Sequence, residues 1–374
     1  MRFAAAFVPL ALAACEPSPD PDYRGQNTVP VEAMQVDSAA VDSGALDSAF
    51  LAIERDSGGE LGVSAVVVEN GRTVGHRDGE AFPMASTYKL PIALAVLAQV
   101  DSGRVSLDDT VRLTPADYRL GPGPVSERLP AGGGTVTVRR MIESMMMFSD
   151  NTATDALMRL TGGPRAVMAH LRARGVEGMR VDRYEGEVYL DYNGVTGAPP
   201  PVEWTPQRVR GWIDSVPPAQ KQAARERFFA DVRDTSTPDA MAALLVQVQR
   251  GEWSSPTSRG FLLDAMRRSP TGARRIRAGV PRDTEVADKT GTIGRVTNDA
   301  GLVTLPDGTH VALAVFVRNS TKTNEQVEPV IAAAARAVYA HFAGTGGASA
   351  VTGQPRDTTV ARDSAAGRDT MLQQ

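Results

Sequence analysis

A chain of 374 residues, 42% of them apolar, is long enough to bury one large core or two. Its formal charge of −4 and sequence pI near 5.7 leave no basic footprint for nucleic acid, and no apolar run is long enough to cross a bilayer. Arg2 and the apolar stretch 3–14 read as an export signal. Residues 16–44, rich in Pro, Asp, Ser and Ala, read as a disordered tether, and 344–374 as a disordered tail. Residues 61–77 alternate apolar and polar around Asn70-Gly71, which predicts a β-hairpin. The apolar stretch 86–100 predicts a helix opening at Ser86, with Lys89 one turn on and on the same face. Helical patterns over 137–147, 151–161, 164–173 and 238–249, with another over 217–231, fill the middle of the chain. Strands are expected at 284–292, 300–304 and 310–317, and a closing helix at 325–342. A sheet supplied by both chain ends around a helical middle is an α+β arrangement, with a discontinuous sheet domain (45–103 and 263–343) beside a helical one (104–262).

Only four of the forty basic residues are lysines: Lys89, Lys221, Lys289 and Lys322. Lysine can lose its proton and arginine effectively cannot, so a lysine kept in so arginine-rich a chain marks a position that arginine cannot fill. Lys89 follows Ser86 by three residues, and Lys289 opens Lys289-Thr290-Gly291-Thr292. Between them lies Ser149-Asp150-Asn151. Each motif alone is weak. The ordered set S-x-x-K, S-D-N, K-T-G over about two hundred residues resembles the class A serine β-lactamases and their penicillin-binding relatives, over about 45–343.

That resemblance implies a five-stranded antiparallel sheet domain beside an all-α domain, with the site in the cleft between them. It implies Ser86 as nucleophile, Lys89 as the base that activates it, and Ser149 as proton relay to the leaving nitrogen. Asn151 would hold the substrate's side-chain amide, Lys289 and Thr290 would meet its carboxylate, and Gly291 belongs to the same strand. The amide of Thr292 would join that of Ser86 as an oxyanion hole, and Arg275 would reach the carboxylate beside it. The substrate class is a small-molecule β-lactam, with no cofactor and no second subunit required. Taken by themselves, a serine at a helix start is by default an N-cap, and Asp150 reads as a helix cap. Met145, Met146 and Met147 read as core packing.

Glu185, thirty-four residues after Asn151, stands in a stretch similar to the family's Ω-loop, where a carboxylate activates the deacylating water. Two residues depart from that pattern: Gly186 replaces a common proline, and Tyr189 replaces the asparagine that helps hold the water, leaving Asn193 as a substitute. Arg183 and Asp234 match the pair that closes the loop, but the segment between, about 190–233, is about three dozen residues longer than usual and reads as a lid, a partner surface or a packed accessory helix. A penicillin-binding peptidase or an envelope sensor with a persistent acyl-enzyme therefore stays open beside a hydrolase. Leu12-Ala13-Ala14-Cys15 resembles the lipobox of bacterial lipoproteins, so Cys15, the single cysteine, is expected to carry a lipid anchor on an exported protein. The four histidines form no close pair, and no metal is expected.

Overall fold

In the computed structural model of the chain, residues 43–128 and 130–345 are described. The expected leader with Cys15 lies outside them, as do nearly all of the tether and tail. The first described element is a helix that the sequence reading did not anticipate, α1 (Ser43–Ser57), which begins inside the expected tether. Leu46, Phe50 and Ile53 recur at helical spacing and seat it on the sheet.

The fold is α+β. β1 (Glu60–Val67) and β2 (Thr73–His76) form the amino-terminal hairpin. β3 (Val286–Ile293), β4 (Val296–Thr304) and β5 (His310–Arg318) return from the other end of the chain. The five strands run β2-β1-β5-β4-β3, and every neighbouring pair is antiparallel. β5 is central and covered on both faces. Val311, Leu313, Val315 and Val317 meet α1 and the closing helix α11 (Asn324–Thr345), while Ala312, Ala314 and Phe316 join the core of the helical layer. Burial on both sides explains why 310–317 is a continuous apolar run.

The helical layer comprises α2 (Lys89–Asp101), α3 (Val138–Phe148), α4 (Asn151–Thr161), α5 (Pro164–Arg172), α6 (Glu185–Tyr192), α7 (Pro206–Ser215), α8 (Pro218–Phe229), α9 (Pro238–Arg250) and α10 (Pro256–Arg267), besides short helical turns. Met145 and Met146 are fully buried in its core, with Met147 packed against it. One core joins α2, α3 and α4 to the inner face of the sheet, so a single body of packed side chains underlies both halves.

Two boundaries differ from expectation for physical reasons. The α-helix starts at Lys89, and Ser86 sits in a preceding 3-10 turn, Ala85–Tyr88. Pro91 has no N–H to donate, so it fits the first turn of a helix begun at Lys89 but not the interior of one begun at Ser86. β4 starts four residues early because Thr297, Asn298 and Asp299, which read as loop, are buried. Asn298 Nδ2 donates to the carbonyls of Pro83 and Met84, while its Oδ1 accepts from the Val317 amide. It ties the Ser86 turn to the sheet. Asn298→Ala strands these groups and is expected to destabilise the fold by about 2–4 kcal/mol, read as a lower urea midpoint. A loss under about 0.5 kcal/mol would show that the tie is dispensable.

Candidate active site

Three pieces of backbone converge on Ser86, and each is held in a form that the local sequence alone does not favour. Ala85, just before it, has φ 45°. Ser149, between α3 and α4, has φ 58°. Left-handed backbone at a non-glycine residue is uncommon and persists where its surroundings impose it. Here Asp150 does so: Oδ1 accepts from the Ala153 amide as N-cap of α4, and Oδ2 accepts from the Val125 amide. The third piece is β3. A Cβ on Gly291 would lie 2.5 Å from the Met84 carbonyl and 3.0 Å from the Ser86 nitrogen, so only glycine lets the strand pass so close to the serine turn.

Lys89 is fully buried. Its Nζ lies 3.1 Å from Ser86 Oγ, 2.8 Å from the Ser149 carbonyl oxygen and 2.7 Å from Asn151 Oδ1. The two carbonyl oxygens can only accept, so they take the two protons of a neutral amine and leave its lone pair for the Ser86 hydroxyl. Burial lowers the pKa of Lys89, opposed by the charge of Glu185. Lys289, equally buried, is pushed well below its usual range by burial first and by Lys89 second. Ser149 Oγ stands between the amines, 3.2 Å from Lys89 Nζ and 3.1 Å from Lys289 Nζ.

Beside Lys289, Thr290 Oγ1 lies 2.8 Å from Thr271 Oγ1. Arg275, buried, donates through Nη2 to Thr292 Oγ1 at 2.7 Å and through Nη1 to the carbonyls of Gly291 and Asn298. Asn151 Nδ2 donates to the Leu120 carbonyl. Glu185, the first residue of α6, places Oε2 3.8 Å from Lys89 Nζ and 2.5 Å from the Tyr88 hydroxyl, which donates to it. The structure thus brings Ser86, Lys89, Ser149, Asn151, Lys289, Thr290, Gly291, Thr292, Arg275 and Glu185 into one neighbourhood.

The remaining expectations fall nearby. Arg183 Nε donates to Asp234 Oδ2 at 2.6 Å, and its Nη1 reaches Asp191 and Asp231. Asn193, expected as a substitute holder of water, donates through Nδ2 to the Tyr189 carbonyl at the end of α6. Gly186 is explained by its neighbours: a Cβ there would meet Arg119 Nε at 2.8 Å and the Trp204 ring at 2.9 Å. The long segment packs closely: Trp204 is buried, α8 sets Phe228 and Phe229 against Tyr192, and Arg295 pairs with Glu226. It also shapes the cleft, since Phe228 and Arg233 line the same cavity as Ser86, Tyr88, Glu185 and Thr292.

Sequence reading missed Asp155, Arg119 and Tyr88. Asp155 accepts from the Glu185 amide at 2.6 Å and the Gly186 amide at 3.2 Å, and from Arg119 Nε at 2.5 Å, so it caps α6 from outside. Its position four residues after Asn151, on the same face of α4, was the available signal. Tyr88, a phenol inside an apolar helix opening, offered another.

A serine hydroxyl facing a deprotonable amine, with a relay hydroxyl and a carboxylate in reach, is equipped for acyl transfer through a covalent intermediate. Fold and site together define a serine hydrolase. The family profile described as "Beta-lactamase enzyme family" matches residues 45–342. The carbapenem-hydrolysing β-lactamase KPC of Klebsiella oxytoca is 32% identical over 77% of this chain and 85% of its own. β-Lactamase VEB-1 of Pseudomonas aeruginosa is 30% identical over 70% and 78%. The crystal structure of a β-lactamase from Chitinophaga pinensis aligns with TM-score 0.65 at 29% identity, covering 81% of this chain and 99% of that one. The last common ancestor of Gram-negative bacteria class A β-lactamase aligns with TM-score 0.66 at 35% identity, covering 80% and 99%. The chain belongs to the β-lactamase enzyme family.

If Lys89 acts as a neutral amine, acylation by benzylpenicillin should rise with pH through its lowered pKa. Lys89→Arg keeps the cation but cannot accept a proton, and should slow acylation about 10²–10⁴-fold, followed by intact-protein mass with the fold checked by circular dichroism. An undiminished rate would exclude Lys89 as the base.

Proposed function

We propose that this serine β-lactamase opens the lactam ring with Ser86 and clears the resulting ester with Glu185. Ser86 Oγ attacks the lactam carbonyl carbon and passes its proton to the neutral Lys89 amine. The C–N bond then breaks, and the proton reaches the leaving nitrogen through Ser149. Amides of Ser86 and Thr292 stabilise the oxyanion, each contributing about 3 kcal/mol. Lys289, Thr290 and Arg275 receive the substrate carboxylate, and Asn151 its side-chain amide. Water, deprotonated by Glu185, attacks the ester, and the C–O bond breaks as the proton taken up by Glu185 passes on to Ser86 Oγ, which restores both side chains.

The observation that carries this reading is the Lys89 amine, buried, 3.1 Å from Ser86 Oγ and saturated by carbonyl acceptors on its other side. The long segment is assigned as an enlarged Ω-loop closed by Arg183 and Asp234. Its support is their 2.6 Å ion pair. Every group invoked comes from one chain, so a monomer suffices. Export with a lipid anchor at Cys15 is part of the proposal and rests on the sequence 1–15. Palmitate labelling of the expressed protein should disappear in Cys15→Ala, and labelling that persists would remove the anchor from the account.

The direct test is intact-protein mass after mixing with excess benzylpenicillin. The unmodified protein should consume drug with a transient adduct, Ser86→Ala should form none, and Glu185→Gln should accumulate the adduct while turnover falls about 10²–10⁴-fold. A stable adduct on the unmodified protein would overturn hydrolysis and leave a penicillin-binding protein.

A further inference from the structure

The Glu185 carboxylate is held differently from what the resemblance implies. Tyr189 occupies the place of the amide side chain expected to share its water, and Asn193 Nδ2 donates to the Tyr189 carbonyl. The Glu185 backbone is fixed by Asp155. Its carboxylate has one side-chain hydrogen bond among the described residues, from the Tyr88 hydroxyl to Oε2. The same oxygen, Oε2, stands 3.8 Å from the Lys89 amine. Without the Tyr88 hydrogen bond, rotation about the Glu185 side chain would carry the carboxylate onto that amine. The contact would hold the Lys89 proton in place and take the carboxylate away from water.

We propose that Tyr88 is the positioning residue for deacylation: its hydroxyl pins Oε2 of Glu185, holds that oxygen 3.8 Å from Lys89 Nζ instead of in a direct hydrogen bond, and leaves Oε1 to take the proton of the attacking water. The geometry suits the task. Tyr88 is 2% exposed and belongs to the turn that carries Ser86, so phenol and nucleophile are set by one piece of backbone. The Thr87 hydroxyl fixes that turn by donating to the Met84 carbonyl at 2.8 Å. Burial, with the charge of Glu185 next, raises the phenol well above its usual pKa, so it stays a donor throughout the working range. Tyr88 thereby takes over, from the nucleophile side of the cleft, the anchoring left vacant at position 189.

The inference rests on Glu185 being the deacylating base, and the test separates the two. In Tyr88→Phe with benzylpenicillin, kcat and KM should fall together by about ten- to a hundredfold, leaving kcat/KM within about twofold. Acyl-enzyme should then dominate at steady state. Introduced into Glu185→Gln, Tyr88→Phe should cost nothing further, since the tyrosine acts only through that carboxylate; a purely structural role would add its loss there too. Unchanged kcat, a matching fall in kcat/KM, or additive losses would each overturn the proposal. Should Tyr88→Phe fail to fold, the hydroxyl proton of Tyr88 is read by NMR in the unmodified protein. A far-downfield resonance that moves in Glu185→Gln supports the inference, and its absence refutes it. Absence of turnover in the unmodified protein would instead defeat the proposed function itself.

Discussion

Two amines that cannot both be comfortably charged share one serine hydroxyl, and the rest of the molecule is arranged around that constraint. Lys89 and Lys289 are each fully buried, and their nitrogens lie 3.2 and 3.1 Å from Ser149 Oγ. Burying a cation is costly, and burying a second beside it costs more, so the site favours a neutral amine. A neutral Lys89 is what serine activation requires. Arginine could fill neither position, which is why two of the chain's few lysines stand there.

Holding that arrangement demands backbone that would not form by itself. The serine turn and β3 meet at distances only glycine permits at 291, and left-handed residues at 85 and 149 are kept in place by buried hydrogen bonds that Asn298 donates to the Met84 carbonyl and that Asp150 accepts from the Ala153 and Val125 amides. The shared core makes this possible, because packed side chains behind α2, α3 and α4 join those of the sheet. The side of the cleft that carries the nucleophile is therefore backed by that packed core.

The opposite wall is assembled from the long segment. Arg183 gathers Asp234, Asp191 and Asp231, while Arg119 lies over Trp204 and bonds Asp155, which caps the helix that begins with Glu185. Gly186 belongs to this layer, since the space beside it is filled by Arg119 and Trp204. The departures at 186 and 189 are thus parts of one rearrangement that passes anchoring duties to Asp155 and Tyr88. The segment is packed through Trp204 and Phe228, and Phe228 and Arg233 lend it a share of the cleft.

By itself the sequence determined the α+β class, most helices and the hairpin, because hydrophobic period and turn residues are local properties. The scarcity of lysine marked Lys89 and Lys289, and the resemblance carried by S-x-x-K, S-D-N and K-T-G implied which serines and carboxylate meet them. Tertiary structure alone decided the rest. β4 hid its first residues because Thr297, Asn298 and Asp299 are polar, and only a partner from another element makes their burial tolerable. α1, of which only residues 43 and 44 fall in the expected tether, was missed because its apolar stripe of Leu46, Phe50 and Ile53 is short and gains its surface only from the sheet. The roles of Tyr88 and Asp155 depend on helices brought together across a fold, and a hydrogen bond between residues 88 and 185 has no signature in either neighbourhood.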